Sequence, residues 1–517
     1  MRFYAKLIAI LLAITLLATT FVGCKDKKEE ENTISVLLLE NPGRVQEDQS
    51  TPVTKALEEK FGIKFKFITA PSHDEIAVTL GRYASRNEIP DLVITQTIEL
   101  NKYQKFFVNL KDYRSDMADM YKFIDEQAVS QQVLSKDGSF YIAPTIYETQ
   151  IYVAYMIRTD WLENLGYDEG WVPNTLNEFD EVMHAFANDD PNMDGAATKE
   201  LGFHPMDAGW LREYAMNFGV SPDNYIKDGH VVYGPLQPEY KEAIQYLNGL
   251  YKDGVLDPEF ITGDMEDFKE RISTGKVGFT RSYFNRIEDA IAWSRIGDPD
   301  AKWQIILPPL NEKTGKRYEQ RYTTRVGNMG IAINRRVSDS KKDKLISLIN
   351  YLYSDEGRLL TSFGVEGETY DMVDGKPTFK DVVINNPRWK DSLTKKYYYG
   401  IEPAAHFAMV QDKDSFIYAP EVMAGVELYE ANASIFQNLI QAPPVTLNMN
   451  YEDSEREAAT YDWYVVQEKE MAGTYEFIRG KRSFNEWDSF MAELKTYGID
   501  ACMQIIDSAY QRVMNKK

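Results

Sequence analysis

The sequence predicts an α/β fold built on a parallel sheet, and three stretches carry that prediction. Ile34 to Leu39 is an unbroken apolar run, Ile63 to Ile68 alternates in polarity, and Asp91-Leu92-Val93-Ile94-Thr95 is largely apolar again. Each reads as a strand. Between the first two, Thr54 to Phe61 has helical periodicity and stops at Gly62, a residue suited to ending a helix. Strands separated by helices form βαβ units, whose ligands gather beyond the carboxyl ends of the strands. That rule makes Thr95 and Gln96 candidate ligand contacts.

Further along, Lys136-Asp137-Gly138-Ser139 carries a turn signal between extended stretches. A strand is predicted from Ile151 to Ile157. A helix follows from Asn174 to Ala187, with Phe179, Val182, Met183 and Phe186 on one face and Thr175 or Asn174 as its cap. Lys227-Asp228-Gly229-His230 predicts a hairpin between Asn224-Tyr225-Ile226 and Val231-Val232-Tyr233. Helices are read at 238–251, 268–275, 341–353 and 355–363, strands at 276–280 and 330–334. The last hundred residues read as mostly helical.

With 517 residues, 44% hydrophobic and 13% aromatic, the chain can fill two or three domains with sizeable cores. Residues 1–23 read as a secretory signal. Arg2 and Lys6 open it, Leu7 to Val22 is apolar apart from Thr15, Thr19 and Thr20, and small Gly23 marks the cut. The apolar core is short against the about 20 residues of a membrane helix. Phe21-Val22-Gly23-Cys24 resembles a bacterial lipobox, with Phe21 where Leu is usual. The resemblance implies cleavage before Cys24 and lipidation of its thiol; a single-pass anchor, or a plain signal with an incidental Cys, are the alternatives. Residues 24–32 are strongly charged and read as a flexible tether.

The formal charge is −22; losing Arg2 and Lys6 with the signal gives −22 − 2 = −24. Such a surface repels phosphate backbones, so nucleic acid is not expected as a partner. The second cysteine, Cys502, has no partner for a disulfide and reads as a small buried hydrophobe.

Several segments, in order and spacing, resemble one family. They are Asp137-Gly138-Ser139-Phe140-Tyr141-Ile142-Ala143-Pro144 with Ile157-Arg158-Thr159-Asp160-Trp161-Leu162; Asp228-Gly229-His230-Val231-Val232-Tyr233-Gly234-Pro235 through Leu256-Asp257-Pro258-Glu259-Phe260; Gly330-Ile331-Ala332-Ile333-Asn334 through Leu352-Tyr353-Ser354-Asp355-Glu356-Gly357; and Gly364-Val365-Glu366-Gly367-Glu368-Thr369-Tyr370. The chain resembles the bacterial extracellular solute-binding proteins of family 1, the sugar-binding lipoproteins of ABC importers. The resemblance is to the large branch with polysaccharide-permease lipoproteins and alginate-oligosaccharide binders.

The resemblance implies a two-lobed, periplasmic-binding-protein-like fold of type II with a ligand cleft. Its lobes would be residues 33–145 plus 333–365 and residues 146–332 plus 366–517, joined by crossings near Pro144 to Tyr147, Gly327 to Asn334 and Gly364 to Tyr370. It further implies a monomer that captures an oligosaccharide, delivers it to the transmembrane subunits of a permease, and makes or breaks no bond. The lipid on Cys24 would hold it to the outer face of the membrane of a Gram-positive-type cell. The acidic chain favours a neutral sugar. The rival readings are a surface-anchored glycoside hydrolase and a non-transport carbohydrate-binding lipoprotein.

Two constellations could carry chemistry. In Asp190-Pro191-Asn192-Met193-Asp194-Gly195-Ala196-Ala197-Thr198-Lys199-Glu200, oxygen side chains alternate and then meet a glycine, like the first half of a Ca²⁺ loop. Asp190, Asn192, Asp194, the carbonyl of Ala196, Thr198 and Glu200 would nearly fill the shell of one structural Ca²⁺; the Glu at the twelfth position of an EF-hand is absent, and a plain acidic turn is the alternative. Sugar sites combine flat rings with polar clamps. Among 33 Tyr and 8 Trp, Tyr147, Trp210, Tyr283, Trp293, Tyr322 and Tyr370 lie in or beside loops, with Glu148, Arg281, Arg321, Glu366 and Glu368 close to strand ends or crossings; each could equally be an ordinary packed or surface residue. His73, His184, His204, His230 and His406 form no metal-ligand spacing, and no hydrolase or P-loop motif is present. A glycosidase needs only two carboxylates, and 80 acids leave that open.

Overall fold

The computed structural model describes residues 31–40, 50–134, 138–147, 153–195, 197, 199–322, 325–384, 398–401, 407–411, 420–434, 440–443, 451–452, 454–455 and 457–515. The expected signal segment, Cys24, most of the expected tether, Glu148, Ala196 and Thr198 lie outside them, as do the side chains of Arg321 and Tyr322. Among the described residues, no helix is long and apolar enough to cross a membrane.

The chain forms two compact units. The first takes Met1–Ile146, Gly327–Val383 and Leu393–Val410; the second takes Tyr147–Val326, Ile384–Ser392 and Gln411–Lys517. Residues 366–383, expected in the second lobe, thus pack with the first. The reason is local. Strand Tyr370–Val373 folds back on Lys376–Phe379, and Phe379 and Tyr370 pack on Phe363 at 5.0 and 5.8 Å between ring centroids.

In the first unit, β1 (Thr33–Leu39) pairs in parallel with both β2 (Lys64–Ala70) and β3 (Leu92–Gln96). The helix Pro52–Phe61 begins at a Thr51 capping box and ends at Gly62, whose φ of 61° is open to glycine. The expected β-α-β order is therefore present. The sheet as a whole is mixed, because β5 (Val326–Ile333) runs antiparallel to β3. With β4 (Ala143–Tyr147) and β6 (Val410–Gln411), the order is β6-β4-β5-β3-β1-β2. Leu37, Leu80, Val93, Ile142 and Ala332 share its core. Gly138 does turn, at φ 76°, but it joins no hairpin: residues 127–133 are helical, and the next strand is β4.

The second unit holds a sheet of Phe279–Tyr283, Val153–Arg158 and Trp303–Ile306, with the middle segment antiparallel to both neighbours. A four-stranded sheet includes the predicted hairpin Asn224–Lys227/His230–Tyr233. Its turn uses positive φ at Asp228 and Gly229, the pattern of a two-residue loop. The helix Leu176–Asn188 starts at the Thr175 capping box and buries the four predicted side chains. They join a large aromatic core with Trp161, Phe203, Tyr214 and Phe279. Trp293 belongs to a second core, 4% exposed, which removes it from the sugar candidates. Cys502 is buried as expected, and burial raises its pKa. Within the helix Trp463–Ile478, Glu470 is fully buried and meets Arg212 at 2.6 Å.

Candidate functional site

Asp207 starts the site. Its carboxylate accepts from the backbone N–H groups of Gly209 and Trp210 at 2.8 and 3.2 Å, capping the short helix Ala208–Arg212. That cap fixes Trp210 on the first turn. The strand Phe279–Tyr283 approaches from the other side, and its burial ends at Tyr283, which is 46% exposed. The rings of Trp210 and Tyr283 meet edge to face, centroids 5.0 Å apart. Two partly exposed aromatics in such contact offer an apolar face to a pyranose.

Arg281, two residues before Tyr283, is buried at 2% exposure. Its guanidinium joins the Glu213 carboxylate and donates to Glu319 Oε1 at 2.6 Å, and it lies over the Tyr155 ring. Burial alone would lower the Arg281 pKa, but Glu319 and Glu213 outweigh it and hold it above its ordinary value. Burial raises the Glu213 pKa against the opposing pull of Arg281. Burial also raises Tyr283, with Glu213 adding and Arg286 opposing. Sequence reasoning missed Asp207, Glu213 and Glu319. Glu213 stands three residues after Trp210, the helical spacing that could have found it.

The other candidates divide between the two units. Thr95 is fully buried opposite Gly330 within the first unit's sheet, and Gln96 beside it is half-buried. Tyr147 is half-buried, and its backbone N–H donates to the Arg325 carbonyl at 2.7 Å. Tyr322 lies on a strand paired with Ile440–Ala442. Tyr370 is 5% exposed, so its ring serves the first unit's packing, whereas Glu366 and Glu368 are exposed.

The acidic loop folds on itself. Asp190 accepts from the N–H groups of Asp194 and Gly195, both at 3.1 Å, and Asp194 accepts from that of Ala197 at 2.7 Å. Asn192 donates to the Glu200 carboxylate at 2.8 Å. Carboxylate oxygens of Asp190, Asp194 and Glu200 lie within 4.8 Å of one another, and Glu200 is 4% exposed. Three convergent carboxylates, one buried, are hard oxygen donors that fit a divalent cation such as Ca²⁺.

No protein-family model matches the chain. Its sequence is similar to the lipoprotein LipO of Bacillus subtilis (strain 168), 23% identical over 440 residues covering 78% of this chain and 80% of LipO. It is also similar to the fructooligosaccharide ABC transporter substrate-binding protein FusA of Streptococcus pneumoniae serotype 4, 21% identical over 524 residues covering 95% and 92%. Its structure is similar to that of the alginate-binding protein AlgQ2 without calcium ion, with a TM-score of 0.75 and 21% identity over 93% of this chain and 98% of AlgQ2. The structure of a FusA EF-hand mutant with fructo-nystose gives a TM-score of 0.71 at 16% identity, over 94% of this chain and 100% of that one. The chain has the fold of the extracellular solute-binding proteins. Among these relatives, FusA is named as the substrate-binding protein of an ABC transporter.

Proposed function

We propose that this solute-binding protein captures an oligosaccharide outside the cell, held to the membrane by a lipid on Cys24, and delivers it to the transmembrane subunits of an ABC permease. The observation that carries the sugar is the partly exposed Trp210–Tyr283 pair beside the Glu213 carboxylate. The rings supply the apolar face, and Glu213 and Asp207 accept hydroxyl protons. Glu213, Glu319 and Asp207 outnumber Arg281 and Arg286 around this platform, which favours a neutral sugar over a uronate. Tyr147, Tyr322, Gln96, Glu366 and Glu368 remain proposed contacts. Asp190, Asn192, Asp194 and Glu200 would hold one structural Ca²⁺, with Ala196 and Thr198 completing its shell. The ion's part would be to neutralise the converged carboxylates and fix the loop.

The test is calorimetric titration with neutral oligosaccharides and their uronate counterparts, followed by chromatography of the recovered sugar. Binding of a neutral oligosaccharide that returns intact supports the reading. Cleavage of the sugar would make the protein a hydrolase. Binding of the uronates alone would overturn the neutral preference, and binding of neither class would overturn the carbohydrate assignment.

A further inference from the structure

The helix Trp463–Ile478 buries Val466, Glu470, Thr474 and Phe477 on one side. Its opposite side is not bare solvent surface. There a cavity of about 420 Å³ runs along the helix, walled by Met471 and Tyr475 with Ile261 facing them. That volume falls in the range of about 300–1,000 Å³ typical of small-molecule sites. The Tyr475 ring is held in place by Phe260, edge to face at 5.9 Å.

The charged lining has an unusual property. Glu468, Glu476, Arg479 and Lys481 all border this cavity, yet among the described residues none of the four makes an ion pair with another. Arg479 Nε is buried without a hydrogen-bond partner. A buried donor left unmade is costly. Here acceptors and donors stand apart around an apolar wall. A polyhydroxylated ring has what this arrangement lacks: hydroxyls that donate to carboxylates and accept from guanidinium and ammonium, and an apolar face for an aromatic ring. A simple anion would satisfy Arg479 and Lys481 but would be repelled by Glu468 and Glu476. The same helix face continues at Tyr464, 61% exposed, so a chain of rings has an aromatic beyond the cavity to rest on.

We propose that this groove is a second carbohydrate-binding site, taking a short stretch of a neutral pyranose glycan, separate from the Trp210–Tyr283 platform. Tyr475 carries the ring face, Arg479 and Lys481 donate to hydroxyls, and Glu468 and Glu476 accept from them. Two sites on one protein raise the local concentration of a long glycan at the first.

The test uses the full protein labelled with ¹³C-methyl methionine, the Met471 signal being identified by its loss in Met471→Leu. Maltotetraose, galactotetraose and mannotetraose are titrated in turn. The expected result is a saturable shift of the Met471 signal with at least one of them. That shift survives Trp210→Ala, disappears in Tyr475→Ala, and needs about tenfold more sugar in Arg479→Gln, the loss of a hydrogen bond to a charged group. Arg479 lies at the helix end, so Arg479→Gln tests the site even where Tyr475→Ala fails to fold. A Met471 signal silent to all three sugars, a shift abolished by Trp210→Ala, or a shift untouched by Arg479→Gln would each overturn the proposal.

Discussion

Trp210 and Tyr283 reach each other from different elements, one capped by Asp207 on a helix and the other at the end of a strand, and their rings settle edge to face at 5.0 Å. Neither side chain is needed to fill a core. Replacing either by Ala should therefore weaken oligosaccharide binding by about tenfold, or about 1.4 kcal/mol, with little change in melting temperature. Because the rings touch, the double replacement should cost less than the sum of the two singles. Calorimetric titration of the three variants decides it; unchanged affinity in both singles would remove this pair from the ligand surface.

Arg212 and Glu470 test what is structural in the same unit. Glu470 is fully buried and accepts from Arg212 at 2.6 Å, Tyr233 at 3.0 Å and Thr474 at 2.6 Å. Burial raises its pKa, with Arg212 pulling the other way. Glu470→Leu leaves a buried guanidinium without its counter-charge and should cost about 3–5 kcal/mol in urea unfolding. The double variant Arg212→Met with Glu470→Leu removes both charges and should recover most of that loss. A double variant no more stable than the single would refute the account.

These two pairs mark what sequence could and could not give. The β-α-β start was legible because the strand and helix periods, Thr51 and Gly62 are local signals. So was the Asp228-Gly229 hairpin. By sequence Arg281 is a candidate clamp near a strand end. Only the fold brings Glu213 and Glu319 to it, from 68 and 38 residues away. By sequence Tyr370 and Trp293 lie in or beside loops, but packed cores claim both, because exposure depends on partners far along the chain. The antiparallel entry of β5 was equally invisible, since strand direction leaves no periodic trace.

His204 should give the unfolding free energy a pH dependence below neutrality. It is 2% exposed, and its Nδ1 lies 3.2 Å from Asp257. Burial lowers its pKa despite that carboxylate. The unfolded chain therefore binds a proton below about pH 6.5 that the folded chain resists. Stability from this group is present above that pH and is lost as pH falls, by at most about 1.4 kcal/mol per unit. Asp257, its own pKa lowered, adds loss only below the ordinary Asp range. His184 has a raised pKa and acts in the opposite sense, so the difference between the parent and His204→Gln isolates the effect. Parallel stability curves from pH 7 to 5 would refute it.

The lipid claim rests on Cys24. Cys24→Ala should leave the protein unprocessed or release it into the medium, and mass spectrometry of the membrane-bound parent should find an acylated Cys24 at the new N-terminus. A processed Cys24→Ala protein that stays on the membrane would sink the anchor.

Calcium gives the most direct test of the acidic loop. Asp190, Asp194 and Glu200 bring three carboxylates within 4.8 Å, an arrangement that repels itself until a cation enters. If Ca²⁺ binds the folded loop and not the unfolded chain, an excess of about 100 times Kd should add about 2.7 kcal/mol of stability. The melting temperature should then rise with Ca²⁺ and fall with chelator. Mg²⁺, which prefers a smaller octahedral shell, should do less. Asp194→Asn retains the shape of the side chain but removes a charge, and should shift the response to higher Ca²⁺. Asp190→Ala removes both a ligand and the acceptor that folds the loop around Asp194 and Gly195, so it should abolish the response. Glu200→Gln separates ligation from packing: a purely structural Glu200 would leave the Ca²⁺ response intact, whereas a ligand would weaken it. Melting curves that coincide with and without chelator would show that the loop closes through its own hydrogen bonds alone.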